Sequence, residues 1–461
     1  MTTASMLGIL MWFIGVPLIT GLLFSQPRWR RPMLSIMAFF TCLITKPFYQ
    51  EVFFVNYRGV DRGFGVTVPD LFFLSFFVFT ILGGTKKKII WVPYNTTLFV
   101  VLLIISAISL IGTPVAYFGL FTLHKFIRGY ILFWVIVNII KEREDVEAVI
   151  SGVIAAVVFQ GINVIWAKYI TKAVVNRSTG SFPHPNSLAM YIDLIIPSAL
   201  ALYLSGTLTK KKNYLAILAI LLGVVSVIFT KSRAGLIIMF GSLSLVVAIS
   251  VLMKPTARKF GVVALGVVAM AIIGTMAAPK IIQRFENAPK ESEATREYFN
   301  TAADAMMKDK FFGVGLNAYS WTLANTDYYW YVYPDKIDLQ DPEAFRESKQ
   351  GESRLGTCHH IYRLYGAEIG QFGMFVFIAY LAAFYIRNLF LFFKSQDDFY
   401  KAILLGLLIG FATLHLQGLL EWIFRQTQVY YLFLLLSGLM VAIGNIIAPK
   451  KIPAYQSANA N

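Results

Sequence analysis

Residues 358–373 read Cys358-His359-His360-Ile361-Tyr362-Arg363-Leu364-Tyr365-Gly366-Ala367-Glu368-Ile369-Gly370-Gln371-Phe372-Gly373. This stretch closes the one long polar segment of the chain, roughly residues 279–360, and continues directly into a long apolar run. Two adjacent histidines therefore fall where an aqueous segment meets a membrane helix. A titratable imidazole at that boundary can serve a water-soluble molecule and a lipid-borne molecule together.

The composition identifies a polytopic membrane protein. Of 461 residues, 57% are hydrophobic and 14% are charged, and the mean hydropathy is +0.64. A soluble protein could not bury so much apolar surface. The net charge of +16 would suggest nucleic acid in a soluble protein. Here many basic residues form short clusters between apolar runs, which is typical of membrane orientation signals and not of nucleic-acid binding.

About thirteen apolar runs are long enough, or nearly so, to span a bilayer. They lie near residues 5–24, 33–48, 70–84, 97–115, 117–140, 147–170, 187–205, 214–229, 234–252, 260–278, 361–392, 401–420 and 428–447. The second and third are short, so we predict an all-α polytopic protein with about 12 or 13 transmembrane helices. It divides into a helical bundle (1–278), a loop domain (279–360) and C-terminal helices (361–461).

The first residues of the chain and its two cysteines give little information on the fold. The first residues lack the basic region of a cleavable signal peptide, so we expect the first apolar run to remain as a membrane helix. The two cysteines, Cys42 and Cys358, give no disulfide framework.

Basic clusters fall in every second loop, and this alternation predicts the orientation of the chain. The clusters are Arg28/Arg30/Arg31, Lys86–Lys88, Lys141/Arg143, Lys210–Lys212, Lys254/Arg258/Lys259, Lys394/Lys401 and Lys450/Lys451. We place these loops in the cytoplasm, which puts residues 279–360 and four shorter loops on the outer side. Several basic residues nevertheless fall on that side, and together they suggest an anionic ligand there.

Arg233, His184 and two residues of the fifth run are candidate binding groups. Arg233 follows a very short outer turn, so it must lie at the height of a lipid phosphate, which a guanidinium can hold in a bidentate fork. Arg233 could equally bind ordinary phospholipid headgroups. Lys125 and Arg128 lie within an apolar run and require either a water-filled cavity or a position at the helix end. His184 precedes a predicted helix N-terminus, which favours anions.

The outer segment 279–360 has recognisable parts. Residues 296–308 have apolar positions at helical spacing, which predicts a helix with Phe299, Ala302, Ala303 and Met306 on one face. A glycine turn follows at 311–319. The next residues are strongly aromatic, comprising Trp321, Tyr328, Tyr329, Trp330, Tyr331 and Tyr333. Such rings either stack on sugars or form a membrane-interface belt, and the sequence leaves both interpretations open.

Several common catalytic and binding motifs are absent from the sequence, which argues against the corresponding chemistries. The chain has no nucleotide-binding glycine loop after a strand, no CxxC or HExxH, and no GxSxG elbow. Adjacent histidines seldom reach one ion together, so we expect no metal and no cofactor. What remains is a histidine base beside several arginines. This set suits transfer of a group from a lipid diphosphate to an acceptor hydroxyl, because the donor is already activated.

Over about residues 180–375 the sequence resembles the O-antigen ligase/polymerase family of bacterial membrane glycosyltransferases. The family pattern His-[Asn/Ser/Gln]-x9-Gly-x-x-Gly stands here as His359-His360-x9-Gly370-Gln371-Phe372-Gly373, with His360 where the family usually has Asn, Ser or Gln. Three further similarities are the turn Thr230-Lys231-Ser232-Arg233-Ala234-Gly235, the pair Arg296 and Phe312-Gly313-Val314-Gly315-Leu316-Asn317-Ala318-Tyr319, and the stretch Phe182-Pro183-His184-Pro185-Asn186-Ser187-Leu188-Ala189.

The resemblance implies a GT-C-like helical fold with one large periplasmic loop. It also implies a glycan donor linked to undecaprenyl diphosphate, held by Arg233 and Arg296. His359 would be the general base, with His360 as the second candidate, in an inverting and metal-independent reaction. We add Lys125 and Arg128 as further diphosphate-binding candidates. The candidate acceptor or glycan-binding residues are Trp321, Tyr319, Glu368 and His184.

We therefore expect a bacterial inner-membrane glycosyltransferase of lipopolysaccharide or exopolysaccharide biosynthesis, with its active site facing the periplasm. The acceptor would be lipid A-core for a ligase or a second lipid-linked glycan for a polymerase, and the sequence does not decide between them. The alternative is a transporter or flippase of the same lipid-linked glycan. A transporter predicts internal repeats and helices broken at mid-membrane, and it needs no base. A purely structural scaffold would not explain the buried basic residues.

Overall fold

The computed structural model describes residues 3–44, 49–55, 59–85, 88–173, 176–268, 290–326 and 356–448. Much of the predicted loop domain 279–360 lies outside these ranges. The aromatic residues 328–333 lie outside them too, so the choice between sugar stacking and a membrane belt stays with the sequence.

Helices make up most of the described chain, which confirms the all-α prediction. In chain order they are α1 (Thr3–Ser25), α2 (Arg30–Phe40), α3 (Val68–Ile81), α4 (Thr96–Ile108), α5 (Ala116–Ile139), α6 (Arg143–Ile165), α7 (Pro185–Ser205), α8 (Lys210–Thr230), α9 (Arg233–Met253), α10 (257–268), α11 (Lys290–Asp309), α12 (Tyr319–Asn325), α13 (Ile361–Lys394), α14 (Asp398–Gly418) and α15 (Thr427–Ile447). Strands β1 (Tyr49–Val52) and β2 (Phe64–Thr67) form an antiparallel pair before α3. Each predicted apolar run overlaps one of these helices.

Within the described ranges, eight helices are long and apolar enough to cross a bilayer, namely α5 to α9 and α13 to α15. Three shorter apolar helices accompany them, at Trp12–Ser25 in α1 and in α3 and α4. Helix α2 has 11 residues. At about 1.5 Å per residue it is roughly 16 Å long, about half the thickness of the hydrocarbon core. The chain is therefore a multi-pass membrane protein in which the second predicted run does not cross the bilayer alone.

Helix α7 lies at the centre of the bundle, and most of its residues are buried. It begins at Pro185, where a missing N–H costs nothing, and ends before Gly206 in the left-handed conformation. Helix α14 lies directly against it because two glycines face its backbone. A Cβ at Gly406 would overlap Ser198, and one at Gly410 would overlap the Leu194 carbonyl oxygen. Small residues at such contacts allow membrane helices to approach closely.

Helix α13 is broken at Gly370, whose φ of 79° and ψ of 168° are not helical. The rings of Tyr365 and Phe377, on either side of the break, stack with centroids 3.9 Å apart and planes 4° apart. A straight helix would separate these residues by about 18 Å along its axis. The chain therefore turns sharply at Gly370, and we call residues 361–369 the half-helix.

The glycine turn at 311–319 packs against the end of the half-helix. Val314 N–H donates to the Ala367 carbonyl (2.8 Å) and Gly315 N–H donates to the Glu368 carbonyl (3.0 Å). The last carbonyls of a helix have no partner within it, so these bonds satisfy groups that the break leaves open. The approach is so close that a Cβ at Gly370 would collide with the carbonyl oxygen of Phe311.

Replacing Gly370 by alanine is expected to lower the unfolding temperature clearly, because the backbone conformation is strained for any L side chain and the new Cβ meets a carbonyl. The strain alone costs about 1–3 kcal/mol. Thermal unfolding in detergent would measure the change. Gly241→Ala is the matched control, since Gly241 lies in α9 with open space around its Cβ position. Equal unfolding temperatures for the two variants would contradict this account of the break.

Candidate functional site

Glu421 lies in the turn after α14, is 5% exposed, and binds side chains from three distant parts of the chain. Its Oε1 accepts hydrogen bonds from Asn186 Nδ2 (2.6 Å) and Arg296 Nη2 (2.9 Å). Its Oε2 lies 3.1 Å from His359 Nδ1. We call Glu421, Asn186, Arg296 and His359 the Glu421 cluster. The structure thus brings together the predicted base and one predicted diphosphate-binding arginine on a single carboxylate.

Local structure explains why these side chains meet. Asn186 lies in the first turn of α7, where its N–H donates to Nδ1 of His184, the residue that caps the helix (3.2 Å). Helix α11 confirms the helix predicted for 296–308, and its apolar face, including Phe299, is buried. The Phe299 ring lies over the His359 imidazole, with centroids 6.3 Å apart. Packing of α11 therefore positions Arg296 and one face of the imidazole.

The charge state of Glu421 determines which nitrogen of His359 carries a proton. Burial alone would raise the pKa of the Glu421 carboxyl, but the His359 hydrogen bond and the charge of Arg296 hold that pKa below its ordinary value. An ionised carboxylate only accepts hydrogen bonds, so Nδ1–H of neutral His359 must donate to it. The lone pair is then on Nε2. The His359 side chain is 28% exposed, so a ligand can contact the imidazole.

His360 has a different environment. It is the N-cap of the half-helix, and its Nδ1 accepts the N–H of Arg363 (3.3 Å). Burial, followed by the charge of Arg363, lowers the pKa of His360. Of the three residues in the family pattern at this position, Asn, Ser and Gln, the first two are preferred N-cap residues. His360 therefore satisfies the same backbone group with a ring nitrogen, while the Glu421 cluster contains His359.

Arg233 lies at the first residue of α9, next to the start of α7. Ser232 caps this helix through its Oγ, which accepts the N–H of Gly235 (3.3 Å). A Cβ on Gly235 would lie 2.9 Å from the Cβ of Ala189, so the two helix beginnings are in direct contact. Asn186 lies one turn before Ala189. Arg233 is therefore at the same end of the bundle as the Glu421 cluster and is partly exposed.

The other two basic candidates are buried in ion pairs with different partners. Lys125 Nζ lies 2.6 and 2.8 Å from the two carboxylate oxygens of Asp61 and donates to the Arg425 carbonyl (2.8 Å). Arg128 Nη1 lies 2.5 Å from Asp70 Oδ2. These carboxylates neutralise the charges of Lys125 and Arg128 within the protein. The sequence left open a water-filled cavity or a position at the helix end for these two residues, whereas the structure pairs each of them with an aspartate.

The four candidate glycan-binding residues are in unlike places. Glu368 is buried, and its Oε2 accepts from Arg425 Nη1 (2.5 Å). Tyr319 is buried and donates to the Phe299 carbonyl (2.7 Å). Trp321 is half-buried beside an apolar cluster. His184 is exposed, and the charges of Glu421, Arg177 and Arg296 act on its imidazole. His184 thus borders the Glu421 cluster, whereas Glu368 and Tyr319 hold the surrounding structure together.

Sequence reasoning did not assign roles to Glu421, Asp61 or Asp70. One signal was available for the aspartates, because basic residues within a membrane helix require acidic partners. Asp61 lies in the loop 49–69, which the sequence predicts on the outer side, and Asp70 lies at the start of the next apolar run. Each contacts a basic residue of α5. Glu421 follows the apolar run 401–420 in the sequence, but nothing in its spacing points to His359.

Comparison with known protein families gives a match over part of the chain. Residues 218–378 match the family model described as O-antigen ligase, which is about a third of the chain. The matched range contains Arg233, Arg296, the glycine turn, His359, His360, Gly370 and Gly373. Asn186 and Glu421 lie outside it. A search of curated proteins found no match to the chain.

Proposed function

We propose that this chain, whose residues 218–378 match the family model described as O-antigen ligase, transfers a glycan from undecaprenyl diphosphate to an acceptor sugar hydroxyl at the periplasmic face of the inner membrane. The family match supports glycosyl transfer of the O-antigen ligase type. The observation that carries the finer proposal is the Glu421 cluster, in which a carboxylate orients a histidine beside an arginine. A histidine with a free Nε2 is a suitable general base for a hydroxyl nucleophile.

In the proposed reaction the acceptor hydroxyl binds with its proton directed at His359 Nε2. As the acceptor oxygen forms a bond to the anomeric carbon, its proton moves to Nε2, and the bond between that carbon and the diphosphate oxygen breaks. The bonding electrons leave with undecaprenyl diphosphate, and attack from the opposite face inverts the anomeric configuration. Glu421 remains ionised and stabilises the imidazolium, as a carboxylate does for a catalytic histidine in general.

The leaving group gains negative charge, and arginines supply the compensation in this proposal. A guanidinium has five N–H donors, and the bond from Arg296 to Glu421 uses one of them. Arg296 can therefore contact a phosphate oxygen without leaving Glu421. Arg233, at the start of α9, would hold the diphosphate from the membrane side, where the helix N-terminus also favours an anion. This arrangement needs neither a nucleotide nor a metal ion.

An assay of purified protein with a lipid-diphosphate glycan tests the proposal directly. Lipid A-core and a second molecule of the lipid-linked repeat would be offered separately, and products would be separated on a gel. Product on lipid A-core indicates a ligase, and a ladder on the polyprenyl lipid indicates a polymerase. If the wild type forms neither product but moves the lipid-linked glycan across vesicle membranes, the transporter alternative is correct.

The same assay tests metal independence. We expect EDTA to leave the transfer rate unchanged, because arginine charges and not a metal ion are proposed to stabilise the leaving diphosphate. The rate would be measured before and after chelation and again after adding Mg²⁺ or Mn²⁺. Loss of activity that either ion restores would contradict a metal-free mechanism.

A further inference from the structure

Arg177 connects the Glu421 cluster to the turn that precedes Arg233. Its Nη2 donates to Asn186 Oδ1 (2.7 Å), and Asn186 Nδ2 donates to Glu421 Oε1 (2.6 Å). On its other side, Arg177 Nε donates to the carbonyl of Thr230, the last residue of α8 (2.8 Å). The side chains thus form a continuous series from Arg177 through Asn186 and Glu421 to His359.

The end of α8 holds Arg177 in a defined place. The last carbonyls of a helix lack partners within it and carry partial negative charge, which favours a cation nearby. Arg177 binds the Thr230 carbonyl, and the next residue, Ser178, donates its N–H to the Phe229 carbonyl (3.0 Å). One guanidinium therefore contacts both the end of α8, three residues before Arg233, and the side chain that contacts Glu421.

The Asn186 amide has an acceptor end and a donor end, and it uses one for Arg177 and the other for Glu421. An ionised carboxylate only accepts hydrogen bonds, and a guanidinium only donates them. Asn186 therefore has one favourable orientation, with its oxygen toward Arg177 and its NH₂ toward Glu421. Without Arg177 the Asn186 amide oxygen has lost this anchor, and the side chain can turn away from the carboxylate. Glu421 would lose one of the contacts that hold it against His359.

We propose that Arg177 is a positioning residue for the histidine base, acting through the amide of Asn186 and the carboxylate of Glu421. The inference rests on the function proposed above, because it assigns Arg177 to the same reaction. Arg177 contacts neither the acceptor nor the diphosphate in this account. It sets the orientation of His359, and it also contacts the turn that precedes Arg233. The distance between the base and the diphosphate-binding arginine is therefore held constant.

Kinetics of Arg177→Gln test the proposal, with Lys172→Gln as a control that removes a charge from an exposed outer residue. Loss of a hydrogen-bond partner that orients a metal-binding histidine typically costs about 10- to 100-fold, and we take the same range for the orientation of this base. We expect kcat of Arg177→Gln to fall by about that factor while KM for the donor changes little. Asn186→Leu should behave likewise, and the double variant should be no slower than the slower single variant. Lys172→Gln should retain the wild-type rate.

A measurement without substrate separates this inference from the proposed function. The chain has five histidines, so ¹⁵N-histidine NMR in nanodiscs can resolve the His359 ring, assigned with a His359→Gln sample. We expect the Nδ1–H form in the wild type and in Lys172→Gln, and a mixture of both tautomers in Arg177→Gln. An unchanged tautomer in Arg177→Gln would overturn the positioning role, whatever the activity of the enzyme.

Two kinetic outcomes would also overturn it. A raised donor KM with unchanged kcat would mean that Arg177 binds the diphosphate itself, and additive losses in the double variant would mean that Arg177 and Asn186 act separately. If Arg177→Gln does not fold, Asn186→Leu provides the same comparisons. A wild type without transfer activity would refute the proposed function alone, since the tautomer measurement still decides the role of Arg177.

Discussion

His359→Ala is expected to lower the glycan transfer rate by about 10²- to 10⁴-fold, the range that a general base commonly contributes. The reason is that Nε2 of His359 is the proposed proton acceptor, and its other nitrogen is already bonded to Glu421 at 3.1 Å. Initial rates with purified protein would measure the loss, and the elution profile on size exclusion would show that the variant is folded. A rate near that of the wild type would remove His359 from the mechanism.

The adjacent histidine provides the matched control. His360 accepts the Arg363 N–H as an N-cap, so His360→Asn should keep both the cap and most of the activity. His360→Ala should lose about 1 kcal/mol of cap stability without the catalytic loss of His359→Ala. If His360→Asn were as inactive as His359→Ala, the assignment of the base to His359 would be wrong.

Of the substitutions named here, Arg425→Ala is expected to destabilise the protein most. Arg425 is 1% exposed, bonds Glu368 at 2.5 Å, and lies 3.9 Å from Asp61. Its removal leaves the buried Glu368 carboxylate without its cation, which typically costs about 3–5 kcal/mol. We expect a large fall in the unfolding temperature, measured by thermal denaturation in detergent.

Arg363→Ala is the comparison for that experiment. Arg363 pairs with Asp304 at 3.0 Å, but the two side chains are 40% and 34% exposed. Exposed pairs contribute about 0–1 kcal/mol, so this variant should unfold almost as the wild type does. If Arg425→Ala and Arg363→Ala shifted the unfolding temperature equally, the buried network around Arg425 would not be a main source of stability.

Sequence reasoning located the helices well because hydropathy reports burial in the bilayer directly. The same reasoning placed His359 at a polar boundary and predicted the apolar face of α11, both of which depend on neighbouring residues only. It predicted a continuous apolar run over 361–392, whereas the helix breaks at Gly370. Averages of hydropathy are insensitive to one glycine, so the sharp turn at this residue could not be seen in them.

Pairing between distant residues is what the sequence could not provide. The cost of burying Lys125 and Arg128 indicates that each needs a partner, but it does not identify the partner. Asp61 and Asp70 lie more than fifty residues earlier, and Glu421 lies 62 residues after His359. Contacts over such separations depend on how the helices pack. The site was therefore predictable as a set of residue types at one height, and its internal arrangement was not.

The bonds between the glycine turn and the half-helix have a consequence for chimeric proteins. Carbonyls of Ala367 and Glu368 accept from N–H groups of Val314 and Gly315, which belong to a segment roughly fifty residues upstream. A loop taken from a relative would have to present the same two donors at the same spacing. Segments 311–319 and 361–373 should therefore be exchanged together as one cassette.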